Sequence, residues 1–127
     1  MSIQKPVVLV ADDEEANREL LQYILEDKYD VTSVASGAEC IDSSMLIGPD
    51  IILLDITMPD MDGFHTCRLL KEDELTKNIP VVFISALTQK EDKEEGFQVG
   101  AEEYITKPIK SDEVIDIIEM ILINNLH

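Results

Sequence analysis

Three short stretches of the chain are almost continuously apolar: Pro6–Ala11, Asp50–Leu54 and Pro80–Ile84. Runs of this length, rich in Val, Ile and Leu, read as strands buried on both faces, and such strands belong to parallel sheets. Tyr104–Thr106 and Val31–Ala35 are weaker candidates of the same kind. Between them the apolar period lengthens to that of helices. Glu14 to Asp27 puts Leu20, Leu21, Ile24 and Leu25 on one side and Glu15, Arg18, Glu19 and Glu26 toward water. Ser36 caps a second helix, with Glu39 completing a capping box. A third helix is predicted from Gly63 to Glu72 and a fourth from Lys90 to Val99, where six consecutive charges precede Gly96. The last runs from Ser111 to about Leu122, with Val114, Ile117, Ile118, Ile121 and Leu122 at helical spacing and Asp112 and Glu113 at its positive end.

Strand and helix alternate five times, which implies right-handed crossovers and one parallel sheet with helices on both faces. No repeat, low-complexity tract or linker interrupts the order. One α/β domain over residues 1–127 is expected, with its core from about 5 to 122 and a tail or the start of a linker at 123–127.

Composition changes the picture in one direction. The 127 residues carry 27 Asp+Glu against 10 Lys+Arg, a formal net charge of −17. A surface this acidic repels phosphate backbones and anionic lipid, so neither nucleic acid nor a membrane face is an expected partner. The 45% hydrophobic content argues for a folded chain. Cys40 and Cys67 are too few for a zinc site and are expected to pack as small apolar residues in a reduced, cytoplasmic protein. His65 and His127 are expected to be incidental.

Ligands of an open parallel sheet bind beyond the carboxyl ends of its strands. Asp12 and Asp13 follow the first predicted strand, Asp55 the third, Ser85 the fourth and Lys107 the fifth. If the first and third strands are neighbours, their residues lie about 4.8 Å apart. Three carboxylates that close call for a hard divalent cation such as Mg²⁺. With the Lys107 ammonium and the Ser85 hydroxyl, the set is equipped to hold a phosphoryl group, and Asp55 is the candidate nucleophile.

Val-Ala-Asp-Asp-Glu, Leu-Leu-Asp-Ile-Thr-Met-Pro-Asp-Met-Asp-Gly, Ile-Ser-Ala and Gly-Ala-Glu-Glu-Tyr-Ile-Thr-Lys-Pro stand in this order. Together they resemble the receiver domain of two-component response regulators, over about Lys5 to Leu122. The resemblance implies a flavodoxin-like doubly wound fold with a five-stranded parallel sheet in the order 2-1-3-4-5. It implies Asp55 as acceptor of a phosphoryl group from a phosphohistidine on a sensor kinase or phosphotransfer protein. It further implies Mg²⁺ held by Asp13, by Asp12 largely through water, by Asp55, and by the backbone carbonyl of Thr57. Ser85 and Lys107 would contact the phosphoryl oxygens, Ser85 and Tyr104 would switch together, and Lys107–Pro108 would be cis. Gly63 would permit the tight turn closing the Asp60–Asp62 loop. Such a domain signals through a surface change and is no enzyme beyond its own phosphorylation and slow dephosphorylation.

Some positions depart from the family pattern. Ile109 stands where Phe is frequent. Thr57 and Leu87 line the route of attacking water and orient it poorly, which predicts slow self-dephosphorylation. Glu94 replaces an inward apolar residue, so the fourth helix is expected to pack loosely. Ile115, Met120 and Ile123 lie off the apolar stripe of the last helix. A homodimer through that helix, a downstream protein or an output domain outside these residues would cover them. The alternative of a Mg²⁺-dependent phosphatase with an aspartyl-phosphate intermediate wants a second acid where Thr57 stands. A flavin-binding module wants a Ser/Thr/Gly phosphate loop where Asp12-Asp13-Glu14-Glu15 stands.

Overall fold

In the computed structural model, which describes residues 4–125, strands and helices alternate strictly. They are β1 (Val7–Ala11), α1 (Glu15–Leu25), β2 (Asp30–Val34), α2 (Gly37–Ile47), β3 (Ile51–Leu54), α3 (Gly63–Glu72), β4 (Val81–Ser85), α4 (Lys90–Gln98), β5 (Glu103–Thr106) and α5 (Ser111–Asn124). All pairings are parallel and the strand order is β2-β1-β3-β4-β5. The sheet is parallel, as the alternation predicts, and its order is the flavodoxin-like one that the resemblance implies.

The period-2 geometry of the strands divides the core in two. Val8, Val10, Ile51, Leu53, Val82, Ile84 and Ile105 face Leu21 and Leu25 of α1 and Val114, Ile118 and Ile121 of α5. Leu9, Ala11, Ile52, Leu54, Val81 and Phe83 face Cys40 of α2 and Phe64, Cys67 and Leu70 of α3. Both faces of β1, β3 and β4 are therefore covered, which is why their sequences carry no polar alternation. The edge strand β2 is half exposed, and its sequence was correspondingly weaker.

Several local expectations shift. Leu20 is exposed rather than inward, because α1 needs only Leu21, Leu25 and the half-buried Ile24 to meet the sheet. Ser36 caps α2 by accepting from the Glu39 N–H at 3.2 Å. Glu39 reaches the Ser36 hydroxyl at 3.1 Å rather than its backbone N–H, so the box is half formed. Helix α5 continues to Asn124, so Ile123 and Asn124 are helix, not tail; Leu126 and His127 lie outside the described residues. Ile115 packs against the α1–α5 core, whereas Met120 and Ile123 are exposed.

Helix α4 touches the sheet through one buried residue, Gly96. A Cβ at Gly96 would come within 3.1 Å of ring carbons of both Phe83 and Tyr104. The absence of a side chain there lets the helix backbone lie directly on those rings. Glu94 is exposed and pairs at 3.7 Å with Lys90, so it leaves no charge buried beneath the helix.

Candidate functional site

The register of the two central strands builds the site. Ala11 of β1 stands opposite Leu54 of β3, so the next residues, Asp12 and Asp55, emerge side by side at the carboxyl edge. The Asp55 N–H bonds the Ala11 carbonyl at 2.9 Å, extending the ladder one step past the strands. Asp12 and Asp55 are 3% and 4% exposed, which is far drier than carboxylates normally sit. Asp13 is exposed at the rim. One oxygen from each of Asp12, Asp13 and Asp55 lies within 4.8 Å of the others.

Lys107 arrives from the end of β5. Its N–H bonds the Ser85 carbonyl at 2.8 Å, and its ammonium reaches back across β4 to Asp55 Oδ2 at 3.0 Å and Asp12 Oδ2 at 3.1 Å. Burial lowers the Lys107 pKa, but the hydrogen bond and charge of Asp55, joined by Asp12, outweigh it and hold the group above its ordinary value. Burial and the neighbouring Asp12 charge push Asp55 above the ordinary carboxylate value, against the pull of Lys107 and of the Thr57 N–H. One ammonium therefore stands against three carboxylates. Hard oxygen donors with two uncompensated negative charges are the donor set that suits a divalent cation such as Mg²⁺.

Ser85 is fully buried, and its Oγ accepts from the Leu87 N–H at 3.1 Å. The Tyr104 hydroxyl donates to the Leu87 carbonyl at 2.7 Å. Both polar groups of Leu87 are thus held, one by Ser85 and the other by Tyr104. Burial pushes the Tyr104 phenol up, while the nearby Ser85 hydroxyl pulls it down.

The Lys107–Pro108 bond is cis, as the resemblance implied. Thr57 is exposed and touches the cluster through its N–H, 3.3 Å from Asp55 Oδ1. Gly63 is needed for a different reason from the one expected. Its backbone is not left-handed; the positive φ in this loop, 69°, belongs to Asp60. A Cβ at Gly63 would instead overlap the Asp55 carbonyl and lie 2.7 Å from the Ile56 Cα. The first turn of α3 therefore rests directly on the backbone that carries Asp55, and Gly63 N–H bonds the Ile56 carbonyl at 2.8 Å.

The structure gathers Asp12, Asp13, Asp55 and Lys107 into one cluster, with Thr57 at its edge. Ser85 at the end of β4 and Tyr104 in β5 meet at Leu87, on the loop after β4. Two contacts were not readable from sequence. The backbone of Leu87 gives no signal in its side chain. The Arg18 side chain donates from Nη1 to the Asp12 carbonyl at 2.8 Å. Arg18 follows the helical period of a solvated face, which conceals that contact.

Comparison with known proteins agrees with this geometry. The response regulator receiver domain model matches residues 8–119. The response regulator PleD of Caulobacter vibrioides is 46% identical over 103 residues, covering 80% of this chain and 23% of PleD. The polar-differentiation response regulator DivK of Brucella ovis is 35% identical over 116 residues, 91% of this chain and 94% of DivK. The chain thus spans under a quarter of PleD and nearly all of DivK. Among solved structures, chemotaxis protein CheY4 of Vibrio cholerae superposes with a TM-score of 0.87 at 27% identity, covering 92% of this chain and 98% of that one. The receiver domain of sensor histidine kinase PA1611 from Pseudomonas aeruginosa, solved with magnesium in its active-site cleft, gives 0.86 at 27% identity over 93% and 98%. With its strand order, its acid cluster and the bridging lysine on the same sheet edge, this chain belongs to the response regulator receiver domain family.

Proposed function

We propose that the domain is a phosphorylation-dependent switch in which Asp55 accepts a phosphoryl group from a phosphohistidine of a sensor kinase or phosphotransfer protein. The observation that carries this reading is the Lys107 ammonium set between the buried carboxylates of Asp55 and Asp12. A buried acid beside a fixed cation is a nucleophile with a ready partner for the charge it acquires.

Asp12, Asp13, Asp55 and the Thr57 carbonyl would hold Mg²⁺. Bound there, the ion would neutralise charge on the phosphoryl oxygens. The chain's own residues do the rest. An Asp55 oxygen forms the new O–P bond as the partner's N–P bond breaks. Lys107 exchanges a carboxylate contact for a phosphoryl oxygen. The Ser85 hydroxyl has a hydrogen to donate while its lone pair holds Leu87. A Ser85 hydroxyl drawn toward the phosphoryl group slackens its hold on the Leu87 N–H, and with it the seat of Tyr104. That is the route from the acid edge to the surface of α4 and β5. The side chains of Thr57 and Leu87 offer poor or no orientation to an attacking water, which favours a long-lived phosphoryl group.

The domain is proposed to extend over the whole chain, cytoplasmic, and to act on a downstream protein or on an output domain outside these residues. Among the described residues no helix is long and apolar enough to cross a membrane. The exposed Met120 and Ile123 of α5 would serve a second copy. Acetyl phosphate or beryllofluoride with Mg²⁺, applied to wild type and Asp55→Ala, tests the reading. Modification at Asp55 with a spectral change, lost in Asp55→Ala, is expected. Multiple turnover of a small phosphoester would overturn it.

A further inference from the structure

We infer that Arg18 is a positioning residue of the acid cluster, one that fixes where Asp13 sits by gripping the peptide that joins Asp12 to Asp13. The inference rests on the Mg²⁺ reading of that cluster.

Arg18 lies in the first turns of α1, where its N–H bonds the Glu14 carbonyl at 3.2 Å. A cation so near a helix N-terminus opposes the helix dipole. Side chains on a helix lean toward its N-terminus, and Arg18 uses that lean to fold back over the end of α1. Its Nη1 reaches the Asp12 carbonyl at 2.8 Å, six residues earlier and outside the helix. The contact leaves Arg18 only partly exposed, unlike its acidic neighbours Glu15 and Glu19.

The grip completes a set. The Asp12 N–H bonds the Val34 carbonyl at 3.1 Å. Oδ1 accepts from the Glu14 N–H at 2.9 Å and Oδ2 from Lys107 at 3.1 Å. Only the carbonyl remained, and Arg18 takes it. Asp13 is held by nothing comparable: among the described residues its side chain makes no hydrogen bond or ion pair. Its placement within 4.8 Å of Asp12 and Asp55 is therefore set by the backbone that carries it. The Asp12 carbonyl belongs to the peptide plane leading into Asp13, so turning that plane turns the Asp13 Cα–Cβ direction.

Charge and positioning predict opposite signs. If Arg18 mattered only as a positive charge near the cluster, removing it would tighten divalent cation binding. If it positions Asp13, removing it weakens binding, by about 10-fold or more as for groups that orient metal ligands. Mg²⁺ and Mn²⁺ affinities of the full chain, by calorimetry, are compared for wild type, Arg18→Ala, Arg18→Gln and Arg18→Lys, with thermal melts in EDTA as a folding control. Weaker binding in Arg18→Ala and Arg18→Gln, an unchanged melt and partial recovery in Arg18→Lys are expected. If Arg18→Ala fails to fold, Arg18→Gln and Arg18→Lys decide alone. Unchanged or tighter binding on losing Arg18 overturns the inference while leaving the metal reading intact. A wild type that binds no divalent cation overturns both.

Discussion

Replacing Asp55 by Asn should stabilise the metal-free domain. At an effective dielectric constant of about 20, the Lys107 ammonium 3.0 Å from Asp55 attracts it by about 5.5 kcal/mol. A carboxylate at the 4.8 Å limit of the cluster repels it by about 3.5 kcal/mol. That is the contribution of buried Asp12; Asp13, in contact with water, adds about 1 kcal/mol at the dielectric constant of water. The separation is at most 4.8 Å, so the balance is an attraction of at most about 1 kcal/mol, and it must offset the several kcal/mol that taking a carboxylate out of water costs. Ionised Asp55 is therefore a net burden, the same conclusion as its raised pKa.

The sign with pH follows. A raised carboxylate adds stability below its unfolded-state pKa and loses it as pH rises through the folded-state value. At pH 7 the penalty is in force. Asp55→Asn, equal in shape and without charge, should gain about 1–2 kcal/mol, or roughly 4–8 °C in Tm for a domain of this size. Thermal melts in EDTA at pH 7 and pH 4, and at pH 7 with Mg²⁺, make the assay. The gain should shrink as pH falls, because the raised Asp55 carboxyl takes up a proton more readily than in the unfolded chain, and toward saturating Mg²⁺, where the cation removes the repulsion. An Asp55→Asn domain no more stable than wild type at pH 7 in EDTA would refute the reasoning.

Gly63→Ala should cost about 1–3 kcal/mol in urea unfolding, because the new methyl meets the Asp55 carbonyl and Ile56 backbone, which cannot rotate away; a loss within 0.5 kcal/mol would contradict the close approach. The Cys40 and Cys67 thiols are pushed up by burial to about 12 and about 11. Both should resist a disulfide reagent at pH 8 until urea is added, and their contribution to stability should decline as pH rises above about 9 toward those values. The urea midpoint of wild type should therefore fall more steeply above pH 9 than that of Cys40→Ala; parallel curves would count against it. Leu87→Glu should shorten the phosphoryl lifetime on Asp55 by placing an acceptor for water beside it. A wild-type half-life of seconds, unchanged in the variant, would contradict that expectation.

Much of the fold was legible because β1, β3 and β4 are covered on both faces, and such strands announce themselves as unbroken apolar runs. The site was legible for a related reason. In a parallel sheet the residue after each strand lands on one edge, so Asp12, Asp55, Ser85 and Lys107 could be placed together without side-chain coordinates. What escaped the sequence was backbone acting on backbone. Gly63 looked like a turn glycine, yet the unusual φ is at Asp60, and Gly63 is there because the Asp55 carbonyl lies against it. Leu87 joins Ser85 to Tyr104 through atoms that every residue has. Arg18 reads as a solvated helix charge, since no spacing rule records a bond to a carbonyl six residues back across a helix end. Leu20 and Ile115 erred for a simpler reason: apolar residues at the margin of a stripe are sorted by where the neighbouring helix stops, which periodicity does not contain.

Gly96 is the one buried residue of helix α4, and this has a consequence for how the domain can diversify. Substitutions at exposed positions generally shift stability by no more than about 0.5 kcal/mol. The exposed residues of α4 outside the Gln89–Asp92 capping box can therefore change with little cost to folding, while the acid edge, held by register and close contact, cannot. If the proposed switch is read out at α4, its chemistry and its address lie on separate parts of the chain. On that proposal, copies of one gene could drift apart in α4, acquiring different listeners, without having to reinvent the reaction that informs them.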